Sequence, residues 1–382
     1  MKNVRVYIAL MLVAAISVGI TGCALSAKAS DLTKGVSPNS VAGKPADAVF
    51  TAGMADFSFE LFKKSITEQE NSLISPLSVM LALAMTANGA DNETLRQMET
   101  LLGGGIGINE LNEYLYSYKN SLPSIKQSKL SIANSIWFCD DRNRLRVEPD
   151  FLQRNADYYD ASLFSATFDA QTVKDINSWV KDNTDGMIDK ILEKIDGEVM
   201  YLINAVAFDA EWASIYTDVF VRKEIFTNIH GEKQDVDLMY SSERQYIEDG
   251  MATGFVKPYY DNKYSFAALL PNEGVSIEAY IESLTGGGFM DTLENAQSVV
   301  VNAAMPKFGY EYDISMVEAL KALGMIDAFD INISDLSKID SSPEGGLYIS
   351  EVLHKTFIKV DERGTKAGAS TLVAMTDRKS VV

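Results

Sequence analysis

Apolar residues return at helical spacing soon after position 47. Phe50, Met54, Phe57 and Leu61 fall on one stripe, which predicts a helix with one face in a core. Asn71, Ser72, Leu73 and Ile74 read as a short strand. Ser75-Pro76 is a strong helix start, because serine can cap free amides and proline suits the first helical position. Nearly every residue over 76–88 is apolar, which predicts a helix buried on all sides and ended by Gly89. Asp91 or Asn92 then caps a helix carrying Leu95, Met98 and Leu102.

Strand-like runs follow at 130–138, 199–208, 265–270 and 299–305. A helix over 173–180 separates the first two, and another is expected over 315–323. A last strand, 353–360, leads into a run of small residues. Long strands mixed irregularly with helices predict an α+β fold around large sheets, not a regular βαβ alternation.

The N-terminus reads as a processing signal. Lys2 and Arg5 precede an apolar run over 6–20, too short for a comfortable membrane span. Ile20-Thr21-Gly22-Cys23 resembles a bacterial lipobox, in which the cysteine is lipidated and becomes the first residue. Residues 1–22 are thus expected to be a lipoprotein signal peptide, with a plain signal peptide as the other reading. Residues 23–46, bearing Ser, Gly, Lys and Pro, are expected to be a flexible tether. The expected location is extracytoplasmic, anchored to a bacterial membrane only through lipid on Cys23. Cys139 would then be the one remaining thiol. Within Ile136-Trp137-Phe138-Cys139 it reads as a buried small hydrophobe, and no disulfide framework can form.

Composition narrows the chemistry further. The 382 residues are 47% hydrophobic and carry a formal charge of −19, spread along the chain. Such a surface repels phosphate backbones and anionic lipid, so nucleic acid is not an expected partner. His230 and His354 are the two histidines, with no paired cysteine ligands and no His-Glu-x-x-His, so no zinc site is expected. A Gly-x-Ser-x-Gly elbow is missing, and the glycines at 103, 104, 105 and 107 follow a helix where a dinucleotide fingerprint needs a strand. Neither enzymatic activity nor a cofactor is expected.

Several separated motifs resemble the serpin family, in that family's order. Asn71 through Ser78 resembles the start of its buried central helix. Ile176-Asn177-Ser178-Trp179-Val180, with Thr184, Gly186 and Ile188, resembles the helix crossing its main sheet. Leu202-Ile203-Asn204-Ala205 with Phe208 and Trp212 resembles the sheet's central strand. Phe266 through Pro271, Met305-Pro306-Lys307-Phe308 and Leu320 through Phe329 continue the match. The resemblance covers 47–376 and implies a single domain of the serpin fold: several sheets, a large central sheet A, surrounding helices and an exposed reactive loop.

The most informative match is the hinge. Glu362, Gly364, Thr365, Ala367, Gly368, Ala369 and Ser370 resemble the start of the loop that a target protease cleaves. After cleavage such a loop must insert as a new strand inside an existing sheet. Small residues pass between neighbours without clashes, and no proline over 362–376 deletes a ladder donor. Gly364 gives the backbone freedom at the turning point. Lys366, where inhibitory members more often carry Glu, is expected to face solvent after insertion. The implied function is suicide inhibition. A serine or cysteine protease forms an acyl-enzyme with the loop, and insertion then traps it. A non-inhibitory surface-binding serpin is the alternative, and a monomer is expected. The resemblance also implies a latch beneath the sheet from Ser75, Ser78, Asn204 and His354. It further implies a set at the sheet's end from Trp212, Lys307 and Glu362.

Family spacing would put the cleaved bond at Arg378-Lys379. However, Asp377-Arg378-Lys379-Ser380-Val381-Val382 is also what GAT-CGG-AAG-AGC-GTC-GTG followed by TAG encodes, a string matching a DNA-sequencing adapter. Residues 377–382 are therefore expected to be a non-native tail, and the domain to lack its final C-terminal strands.

Overall fold

The computed structural model describes residues 28–67, 70–228, 230–342 and 346–378. Its helices are α1 (Ala48–Lys64), α2 (Pro76–Ala87), α3 (Asn92–Gly103), α4 (Ile108–Ser121), α5 (Pro149–Tyr159), α6 (Ala170–Asn183), α7 (Ile277–Ser283), α8 (Gly286–Glu294) and α9 (Val317–Ala322). The strands are β1 (Ser30–Asp31), β2 (Ser128–Cys139), β3 (Ser162–Ala166), β4 (Glu198–Glu211), β5 (Val221–Thr227), β6 (Lys233–Glu243), β7 (Gln245–Glu248), β8 (Ala252–Pro258), β9 (Ser265–Pro271), β10 (Val301–Pro306), β11 (Phe308–Ser315), β12 (Leu347–Val360) and β13 (Gly364–Asp377).

Seven strands form the main sheet, in the order β1-β3-β2-β4-β13-β12-β11. Only β2 and β3 run parallel; the other neighbours are antiparallel. Two smaller sheets run β10-β6-β5 and β7-β8-β9. The main sheet is a layer between two apolar clusters. On one face lies α2, in which every residue from Ser78 to Ala87 is buried. Its start follows the expected chemistry, with Pro76 in the first turn and the Ser75 hydroxyl accepting from the Ser78 amide. On the other face, Ile176 and Val180 of α6 pack with Ile188, Tyr201, Ile203 and Leu372.

Several expectations change. Asn71 to Ile74 is irregular backbone, not a strand. Strand β10 starts at Val301, leaving Val299 and Val300 exposed. The segment expected as a flexible tether is held along its described part, 28–46. Ser30 and Asp31 pair with Ser165 and Phe164 at the edge of β3. The Asn39 amide donates to Asp157 over 2.7 Å, and the Lys44 amide donates to the Glu113 carbonyl over 3.0 Å. The physical reason is that β3 offers an edge of free ladder groups, which even a short polar segment can satisfy. The signal peptide and Cys23 lie outside the described residues.

The largest departure concerns the loop. Residues 364–377, expected to project as exposed bait, form β13 in the middle of the main sheet. The segment satisfies the requirements of a central strand. It has no proline, and its side chains alternate between two buried layers. Leu372 and Ala374 join the α6 cluster, while Val373 and Met375 join the α2 cluster. Lys366 is exposed as expected, with its ammonium 2.6 Å from Asp209. Register continues past Thr376, because Asp377 pairs with Leu347.

Leu372→Ala is expected to cost about 2–5 kcal/mol through the cavity it leaves. Lys366→Ala is expected to cost no more than about 1 kcal/mol, because its ion pair is solvated. Denaturant midpoints of the two variants check this contrast.

Candidate functional site: the inserted hinge strand

The turn joining β12 to β13 is held from several sides. The Trp212 indole nitrogen donates to the Asp361 carbonyl and its amide to the Arg363 carbonyl, both at 2.9 Å. The Tyr216 amide donates to the Glu362 carbonyl at 2.9 Å. The Lys307 ammonium lies 2.7 Å from the Glu362 carboxylate. This contact raises the pKa of Lys307 and holds that of Glu362 below the usual carboxylate range. Trp212, Lys307 and Glu362, grouped by sequence reasoning, thus meet here. Their ion pair is made with the strand already inserted, so its energy anchors the turn.

Beyond the turn, β13 is paired on both sides. Thr365 lies between Ala210 and Val360, Ala367 between Phe208 and Ile358, and Ala369 between Val206 and Thr356. Two glycines are set by close approach. A Cβ on Gly364 would stand 1.9 Å from the Ala210 carbonyl oxygen, and one on Gly368 would stand 2.8 Å from the Met187 Cβ. In this inserted state Gly364 therefore serves packing against β4, beside any freedom it gives to the turn.

Further along, three of the four expected latch residues meet around a residue that sequence reasoning did not single out. The Ser75 amide donates to His354 Nε2 over 2.9 Å. The imidazole proton must then sit on Nδ1, which is 2.8 Å from the Thr371 hydroxyl. Thr371 in turn lies 2.8 Å from the Ser78 hydroxyl. The result is a chain in which the Ser75 amide donates to the imidazole, the imidazole donates to the threonine hydroxyl, and the threonine and serine hydroxyls share a hydrogen bond. Thr371 belongs to β13, so the inserted strand itself completes the group. Asn204 stands apart from this chain. Its side-chain amide donates to Asn134 over 2.9 Å, and its carbonyl accepts from the Ser370 hydroxyl over 3.0 Å.

His354 is fully buried, and desolvation pushes its pKa down to about 3. Cys139 is buried and its thiol pKa is raised by desolvation, the opposite of an activated nucleophile. Lys379, and with it the bond after Arg378, lies outside the described residues. Missed by sequence reasoning were Thr371, Asn134 and Tyr259, the last donating to the Thr365 hydroxyl. The register of β13 against β4 and β12 would have found Thr371, since it pairs with both Asn204 and His354.

A family model described as Serpin (serine protease inhibitor) matches residues 52–382. Leukocyte elastase inhibitor of Xenopus tropicalis is 29% identical over 82% of this chain and 86% of its own length. Serpin-Z7 of Hordeum vulgare is 31% identical over 81% of each. Among solved structures, the thermophilic serpin tengpin in its latent state is 58% identical with a TM-score of 0.84, covering 87% of this chain and 91% of that one. A loop C-sheet serpin polymer is 57% identical with a TM-score of 0.85, covering 90% and 89%. The chain belongs to the serpin family.

Thr371→Val should leave the His354 Nδ1 proton and the Ser78 hydroxyl without their partner. It is expected to cost about 1–3 kcal/mol in denaturant unfolding of this form. The buried imidazole also sets a pH dependence. It stays neutral in the folded chain down to about pH 3, whereas the unfolded chain takes up a proton near 6.5. Stability is therefore fully present above about pH 6.5 and is lost as pH falls toward 3, by up to about 1.4 kcal/mol per unit. Unfolding titrations of His354→Gln, which cannot titrate, should lack this part of the slope.

Proposed function

We propose that this chain is a suicide-type inhibitor of serine or cysteine endopeptidases and is not itself an enzyme. The observation that carries the reading is β13. The hinge segment of a serpin here occupies the centre of the main sheet, paired on both sides, with Thr371 completing the polar group at His354. A segment that can rest there has the composition needed to trap a protease. The target attacks the projecting loop and forms an acyl-enzyme. Gain of a central strand then drives insertion faster than water releases the enzyme, a kinetic outcome and not an equilibrium one. The hinge has no bulky, charged or proline obstacle apart from Lys366, and that residue points to solvent. This favours inhibition over a purely binding role.

In this reading residues 47–376 form the serpin domain, which works as a monomer. Secretion through 1–22 and lipidation of Cys23 place it outside the cytoplasm on a bacterial membrane surface. Among the described residues no helix is long and apolar enough to cross a membrane.

Incubated, in a form whose hinge is not yet in the sheet, with trypsin, chymotrypsin, elastase and papain in turn, the protein is expected to give with at least one of them an adduct that survives boiling in detergent. Thr365→Arg would force a charged side chain into a position only 4% exposed. The expected result is a cleaved inhibitor with little or no adduct on the gel. An adduct of undiminished yield from that variant would overturn the mechanism.

A further inference from the structure

Thr365 is the first residue of β13 with a side chain, and its hydroxyl accepts a 2.7 Å hydrogen bond from Tyr259. Both residues are buried, Thr365 at 4% and Tyr259 at 3% exposure. Tyr259 lies just past β8, and it is also held by contacts outside β13. Its ring stacks on Trp212 with centroids 4.6 Å apart and meets Phe208 edge-on at 5.1 Å. Its amide donates to the Tyr264 carbonyl at 3.0 Å. A phenol so placed needs a partner for its O–H, because an unpaired buried hydroxyl is costly.

We propose that Tyr259 is a positioning residue that reads the Thr365 hydroxyl, so that position 365 is matched by hydrogen bonding and not by small size alone. The proposal rests on the inhibitor reading and adds to it the group that receives the strand first. Valine has the volume of threonine but would leave the Tyr259 O–H without its acceptor. Thr365 immediately follows the turn clamped by Trp212 and Tyr216. Its hydrogen bond is therefore the first side-chain polar contact made as the strand enters from the turn. Formed early, it favours insertion over release.

The test uses four variants of the full chain: Tyr259→Phe, Thr365→Val, Thr365→Ser and the double Tyr259→Phe/Thr365→Val. Amide exchange over 364–369 in the inserted form is one readout. The other is the ratio of cleaved inhibitor to stable adduct with whichever of trypsin, chymotrypsin, elastase and papain the parent traps. Each orphaning single variant, Tyr259→Phe and Thr365→Val, is expected to speed exchange and raise the ratio roughly 3- to 10-fold. Thr365→Ser keeps a hydroxyl and should behave as the parent. The double variant leaves no orphan and should lie closer to the parent than either single in the partition ratio as well as in exchange; a merely structural role moves exchange and leaves the ratio unchanged. Wild-type exchange in both singles, or additive effects in the double, overturns the proposal. If the parent forms no adduct while the exchange cycle holds, the inhibitor reading falls and the Tyr259–Thr365 match stands.

Discussion

A strand with neighbours on both sides must satisfy two ladders along its backbone and two packed layers with its side chains. β13 meets these demands together, and the rest of the molecule is arranged around it. Its hydrogen bonds to β4 and β12 make one continuous sheet, with Thr371 of β13 lying between Asn204 and His354. Its apolar positions divide between the α2 and α6 clusters, so each cluster is closed by residues from the same strand. Removing β13 would open both layers at once and leave the edges of β4 and β12 unpaired. Such a state is costly in water-exposed apolar area, and it is the state from which insertion would release energy.

Polar chemistry beneath the strand follows the same logic. A buried imidazole with one nitrogen accepting and the other donating is tolerable only when both partners are supplied. Ser75, on the α2 side, supplies the donor, and Thr371, on the incoming strand, supplies the acceptor. The group therefore belongs half to the α2 side and half to β13. At the turn, Glu362 finds Lys307 at the start of the chain leading into β11, and Trp212 and Tyr216 grip the backbone. The turn is thus anchored by groups from two separate stretches of chain, the segment after β4 and the junction of β10 with β11.

Much of this was legible in the residues themselves. The Ser75-Pro76 start and the apolar run behind it gave α2 almost to the residue, because caps and burial are local properties. The small residues over 367–370 gave the ability to insert. Their placement was not legible, because a Gly- and Ala-rich segment fits both a projecting loop and a central strand, and only the vacancy between β4 and β12 decides. Asn204 was expected to share the His354 group but faces Asn134, since neighbouring polar residues on different strands can share a layer without touching. Thr371 and Tyr259 escaped notice because their roles depend on register across long sequence separations. The tether was misjudged for a related reason: its composition is loop-like, while the free edge of β3 that holds it comes from residues far along the chain.

Gly368 sits beneath Met187, in the stretch that follows α6. There is room there for a hydrogen atom and little more, so a strand sliding sideways into the sheet would have to pass under a closed cover. In the proposed insertion, α6 and the residues behind it would therefore have to lift, let the segment through and settle again over the finished sheet. How firmly this cover rests on the sheet would then help set the pace of that passage, beside the strand that moves beneath it.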